Sequence, residues 1–284
     1  MERLPGASIA DCAILCPMSL STPKTRGPFR ADQLRPGDRY ELSDGHPVYC
    51  APSGGRHAHG NVVGALPLAT DPAVESAGID AGFSPEEGTL RAPDIAVGGV
   101  PNEPGWIRGA PPLAVEYADS GTDEVDLKAK VHELLAAGTK YVWVVRLVGP
   151  RRVEVHKPNE PMKTVSSGDV LVAEGVLKNA VPVDALYDRD KAYELTLKNL
   201  LERQGYAGLD AVREEGREEG REEGREAGRE EGTARAILRV LEARGLVASD
   251  AQRARVLDCR DAATLDAWLV RAVIATSVDV LLAD

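Results

Sequence analysis

Three acidic residues stand out by position rather than number, with two lysines nearby. Asp94 directly follows a proline and opens the apolar triplet Ile95-Ala96-Val97. Glu116 interrupts the apolar run from Leu113 to Tyr117, where a charge is costly without a partner. Glu41 lies inside the strand-like stretch Arg39-Tyr40-Glu41-Leu42, and Lys128 and Lys130 follow Glu116 in the next segment. Carboxylates at strand ends beside a lysine are what metal-assisted phosphodiester hydrolysis requires. The acids hold Mg²⁺ or Mn²⁺, the metal lowers the pKa of a bound water, and the ammonium stabilises charge on the scissile phosphate. The same spacing also fits a structural reading, in which Asp94 caps a turn, Glu116 pairs with an arginine and the lysines form a solvated face.

The elements that must position these groups read as a mixed α/β domain. Arg39–Leu42 predicts a short strand, Asp44-Gly45 a hairpin turn and Val48–Cys50 the return strand. Asn61–Ala69 starts a helix that Pro67 and Pro72 are expected to end early. Strands are predicted at Ile95–Val97, closed by Gly98-Gly99, and at Leu113–Tyr117. Leu127, Val131, Leu134 and Leu135 share one helical face, with Gly138 placed to stop the helix. Tyr141–Val145 has the continuous apolar character of a strand buried on both faces, and Arg152–His156 alternates like its more exposed neighbour. Closing near Leu186, these elements make one α/β domain of roughly 155 residues.

Helix geometry leaves the choice of lysine open. Lys130 lies about 40° outside one edge of the apolar stripe and Lys128 about 20° outside the other. His57 and His59 form an H-x-H pair that could bind a transition metal, but no third ligand stands at a readable spacing. Cys12 and Cys16 likewise lack a second pair of ligands. Four cysteines in 284 residues make no disulfide scaffold, and a reducing cytoplasm is the expected compartment. No apolar stretch approaches the roughly 18 residues of a membrane span. The net charge of −11 speaks against a protein that coats nucleic acid through a non-specific positive surface, and suits one that holds metal cations.

Taken in order, Pro93-Asp94-Ile95-Ala96-Val97, Pro112–Tyr117, Asp126–Val131, Ala136-Ala137-Gly138 and Tyr141–Val145 resemble the Uma-type restriction endonucleases of the PD-(D/E)xK nuclease superfamily. Tyr40–Gly45 and His59 also fall in family order, and the resemblance spans about residues 35 to 186. It implies a restriction-endonuclease-like core with a central mixed sheet flanked by helices, and a Mg²⁺- or Mn²⁺-dependent site acting on DNA. Asp94 matches the acid of the PD motif, Glu116 the acid of the next strand, and Glu41 an upstream acid that completes the metal shell. The superfamily lysine two residues after the second acid is absent, since that slot holds Ala118. Resemblance places the lysine at Lys130 on the following helix, with His59 and Lys128 as site neighbours. Between His59 and Asp94 the family has a long helix and a strand, whereas Pro67, Pro72 and Pro85 crowd this stretch.

Beyond the core, Arg-Glu-Glu-Gly occurs five times from Arg213 to Gly232, with Ala227 in one glutamate position. As a helix this repeat gains i,i+3 ion pairs but carries five glycines at roughly 1 kcal/mol each. The expectation is a helical, self-associating spacer, the alternative being a solvated linker. Asp188–Arg203 precedes it as a helix. Ile237, Leu238 and Leu241 follow it, then a helix capped by Ser249 and a third carrying Leu265, Trp268, Leu269, Ala272 and Val273. The organisation expected is a flexible tail over 1–30, a nuclease-like domain over 31–186, a helical linker over 187–232 and a small all-α module over 233–284. So few residues make a thin core, so this tail is expected to pack on a second copy or another protein. Two functions follow: a metal-dependent deoxyribonuclease, or an inactive nuclease-fold scaffold acting through its helical assembly module.

Overall fold

Continuous apolar runs can bury both faces of a strand, and three of them form the centre of this molecule. The computed structural model describes residues 27–283. The tail expected over 1–30, with Cys12 and Cys16, lies outside the described residues except for its last four. A hairpin of β1 (Tyr40–Ser43) and β2 (His46–Tyr49) precedes α1 (Gly55–Thr70). Then come β3 (Ala77–Ile79), β4 (Phe83–Ser84), β5 (Ile95–Val97), β6 (Ile107–Arg108) and β7 (Leu113–Ala118). They are followed by α2 (Glu124–Ala136), β8 (Tyr141–Arg146), β9 (Arg152–His156), β10 (Lys163–Ser166), β11 (Val170–Leu171), β12 (Val181–Pro182) and α3 (Arg189–Arg203).

The main sheet has six strands in the order β10-β9-β8-β7-β5-β3. Only β7 and β8 run parallel, with α2 as their crossover, so the sheet is mixed as expected. Alternation along β7 turns Leu113, Val115 and Tyr117 to one face and Ala114, Glu116 and Ala118 to the other. The first face packs in a cluster with Leu68 of α1, Leu186 and Leu195 of α3. The second lies under Leu127, Val131 and Leu134 of α2. Register and period together therefore aim Glu116 at α2.

One expectation about the chain before β5 is corrected. The helix around residue 61 begins earlier, at Gly55, and runs through Pro67 to Thr70. Pro67 lies in its last turn on the buried face, and its carbonyl accepts a 2.8 Å hydrogen bond from Asn199 Nδ2 on α3. A proline there costs one intrahelical bond, while the packed face holds the turn. That face needs small residues: a Cβ at Gly60 would lie 2.8 Å from the Tyr117 ring, and one at Gly64 would overlap the Tyr117 hydroxyl. The β3 strand also forms, so the prolines between His59 and Asp94 shorten this region without abolishing its helix or strand. At the other end, the first compact unit runs past Leu186 to Gln204, because α3 packs on α1. Asp188 caps α3 by accepting hydrogen bonds from the Asp190 and Lys191 amides.

The second unit, residues 205–284, contains α4 (Leu209–Ala243), α5 (Asp250–Leu257), α6 (Ala262–Ile274) and α7 (Val278–Leu282). The whole tetrad repeat lies in α4, with i,i+3 pairs such as Glu214–Arg217 at 2.6 Å and Glu222–Arg225 at 3.3 Å. Ile237, Leu241, Val256, Leu265, Trp268 and Leu281 build its core. Val273, expected on the apolar face of α6, is instead exposed. No helix among the described residues is long and apolar enough to cross a membrane.

Candidate active site

Four elements bring their charges to one place. Glu41 comes from β1, Asp94 from the turn before β5, Glu116 from the middle of β7 and Lys130 from the second turn of α2. All four line an open cleft of about 950 Å³. Asp123 starts α2 by capping the Val125 and Asp126 amides, which sets the rotation of the helix. That rotation decides the lysine: Lys130 turns inward and Lys128 is exposed.

The Lys130 ammonium sits between two carboxylates, with Nζ 3.1 Å from Glu41 Oε1 and 3.0 Å from Glu116 Oε1. It donates to Glu116 Oε2 at 3.1 Å and to the Ala92 carbonyl at 2.7 Å. Although Glu116 Oε1 is within ion-pair distance, its angle makes no hydrogen bond, so this buried oxygen lacks a hydrogen-bond partner. Asp94 divides its work between its two oxygens. Oδ1 lies 2.8 Å from His57 Nε2 and 3.5 Å from Asn61 Nδ2, while Oδ2 accepts the Tyr117 amide at 2.6 Å. Glu41 is held from behind, accepting from Arg91 Nη1 at 3.1 Å and from the Ala92 amide at 3.3 Å. Arg91 is itself buried and reaches Glu133 Oε2 at 2.5 Å.

The electrostatics follow from this packing. Burial would raise the Asp94 pKa, but the His57 hydrogen bond, the Lys130 charge and the Tyr117 amide hold it below the ordinary carboxylate value. The Asp94 hydrogen bond raises the His57 pKa against the opposing effect of burial. Burial would depress the Lys130 pKa, yet Glu116, Glu41 and Asp94 keep it well above normal. Glu116 goes the other way: burial pushes it up to about 8 despite Lys130.

Glu116 therefore provides a pH test. The folded state favours its protonated form, so this contribution to stability is fully present below the unfolded pKa of about 4.5 and is lost as pH rises through about 8. In metal-free buffer the melting temperature of the wild type falls more steeply between about pH 5 and pH 8 than that of Glu116→Gln, which has nothing to titrate there. Parallel curves would show that Glu116 is already ionised in the fold.

Among the described residues, no three Asp, Glu, His or Cys side chains converge as a preformed cation site would. Asp94 and Glu116 are thus near neighbours without a shared ligand point, and the space between Glu41 and Glu116 holds the Lys130 ammonium. Of the two histidines, His59 is exposed and His57 reaches Asp94. Both lie on α1, and residues two apart on a helix point about 200° apart, so they cannot chelate together. A helix drawn back to Gly55 would have revealed this, because His57 and Asn61 are spaced i,i+4 on one face. Arg91 gave no sequence signal, since a lone arginine in a loop carries no periodicity.

A protein-family model described as Uma2, putative restriction endonuclease, matches residues 29–184. No curated protein matched the chain. Among solved structures, one similar chain is described as a putative nuclease belonging to DUF820 from Anabaena variabilis. It is 15% identical, with a TM-score of 0.50 over 58% of this chain and 99% of that one. At that identity the likeness shows the fold alone, which is nuclease-like. Because the family model covers more than half of its length, the chain belongs to the Uma2 family of putative restriction endonucleases.

Proposed function

We propose that this chain is a divalent-metal-dependent endonuclease that hydrolyses DNA phosphodiester bonds at Glu41, Asp94, Glu116 and Lys130. The observation that carries this reading is the convergence of two carboxylates, Glu41 and Glu116, on the Lys130 ammonium, with Asp94 lining the same open cleft. The donor set fits a hard dication. The buried Glu116 Oε1 has no hydrogen bond, and it is an oxygen acceptor that a hard dication would take. Glu41, Asp94 and Glu116 would hold Mg²⁺ or Mn²⁺. A bound cation of this kind lowers the pKa of a coordinated water and draws charge from a phosphate oxygen. Lys130 offsets the acids' charge and supplies a cation for the phosphate, His57 and the Tyr117 amide fix Asp94, and Arg91 fixes Glu41. The compartment proposed is the cytoplasm.

The test is incubation of plasmid and oligonucleotide DNA with Mg²⁺ or Mn²⁺, alongside thermal melting with each metal. New ends that form only with metal, and a metal-dependent rise in melting temperature, are expected. No cleavage and no shift at millimolar metal would leave the inactive scaffold as the reading.

The second unit supports assembly into homo-oligomers. The glycines of the α4 repeat face open space, and Val270, Val273 and Ile274 of α6 are 61–75% exposed. Sedimentation velocity of the full chain is expected to show oligomers that dissociate in a Val273→Glu, Ile274→Lys variant. A wild-type monomer at tens of micromolar would exclude this.

A further inference from the structure

The mouth of the cleft carries two aromatic rings that the proposed chemistry does not use. Tyr40 and Tyr49 are directly paired across the β1–β2 hairpin, beside Glu41. Their ring centroids lie 5.6 Å apart at an interplanar angle of 62°. They are 45% and 59% exposed, and both line the cleft. An edge-to-face pair leaves at least one ring face open, and a large exposed aromatic surface costs hydration unless something covers it.

The charges around these rings indicate what covers them. Seven acidic side chains line the cleft against Arg39, Arg91 and Lys130. Arg91 is paired with Glu41 and Glu133, and Lys130 with Glu41 and Glu116. Arg39, next to Tyr40, is exposed and has no acidic partner among the described residues. Duplex DNA is gripped mainly through phosphates, by clustered lysine and arginine that this cleft does not have. Stacking on aromatic rings takes up the base faces that an unpaired strand exposes and a duplex hides, and it tolerates any sequence because every base has a π face.

We propose that Tyr40 and Tyr49 form a nucleobase-stacking platform, with Arg39 holding a flanking phosphate, so that DNA enters the cleft as an unpaired strand. This inference rests on the nuclease reading for its substrate class. An unpaired strand offers the rings a base without the cost of unstacking a duplex. Tyr40 and Glu41 both belong to β1 and both line the cleft.

Fluorescence anisotropy with a short labelled single strand, and with the same sequence as a blunt duplex, tests this in Ca²⁺ at low salt. The single strand is expected to bind at least about tenfold more tightly than the duplex. Tyr40→Ala with Tyr49→Ala is expected to weaken strand binding by about tenfold to hundredfold, while Tyr40→Phe with Tyr49→Phe keeps it. The rings are exposed, so melting of both variants near the wild-type temperature verifies the fold. Tighter binding of the duplex, or strand binding unchanged in the alanine variant, would overturn the platform. Cleavage by the wild type is assayed separately. Tyrosine-dependent strand binding without cleavage under any metal sinks the nuclease reading and leaves the platform standing. Cleavage of the single strand with wild-type KM in the alanine variant removes the platform alone.

Discussion

Asp94→Asn lowers metal-dependent DNA cleavage by roughly 10²- to 10³-fold, with most of the loss in kcat. The substitution keeps the shape of the side chain and removes its charge. In the folded protein Oδ1 meets His57 and Asn61, and Oδ2 accepts the Tyr117 amide. Asparagine can satisfy only one of these sides as an acceptor. If its amide nitrogen faced the Tyr117 N–H, two donors would oppose each other, at a cost of about 1–3 kcal/mol. The orientation with its oxygen toward Tyr117 is therefore preferred, leaving the variant folded, without charge toward the cleft and with a weakened metal response. Single-turnover cleavage and melting with and without Mn²⁺ separate the two effects. A variant that keeps near-wild-type cleavage would remove Asp94 from the chemistry.

The second large effect is at Lys130. Lys130→Met leaves Glu41 and Glu116 buried beside each other with no ammonium between them, and removing one partner of a buried ionic cluster costs about 3–5 kcal/mol. Cleavage falls with it, since the cation next to the scissile phosphate is gone. Lys128→Met, on the exposed side of the same helix, stays within about 0.5 kcal/mol of the wild type and keeps its activity. Urea denaturation and cleavage assays on both variants check this. Equal effects at the two positions would contradict the rotation of α2. Adding Mn²⁺ to Lys130→Met is expected to recover part of the lost stability, because a dication can supply the charge that the ammonium did.

The nuclease-like core was legible because its strands carry strong local signals. Leu113–Tyr117 and Tyr141–Val145 are nearly continuous apolar runs, and the stripe of α2 ends at a glycine. Asp94 and Glu116 stood out by contrast with those runs, a charge in an apolar strand being conspicuous in one dimension. The start of α1 was not legible, because Gly54 and Gly55 are poor helix signals and Pro67 argues locally for an early end. What holds the helix is its packing against Tyr117 and α3, which no local window contains.

By itself the sequence determined the fold class, the family and the acids that could hold a cation, since each depends on residue type and short-range period. Resemblance singled out Lys130, and tertiary structure places it against Glu41 and Glu116 and puts His57, not His59, against Asp94. Lys128 and Lys130 flank the same stripe, and His57 and His59 are two residues apart, so in each case a small difference in helix rotation separates cleft from solvent. That rotation is set by the Asp123 cap, by Leu127, Val131 and Leu134 seated on the sheet, and by two glycines of α1 against one tyrosine ring. The same long-range packing brought Arg91 behind Glu41, fifty residues away in the chain.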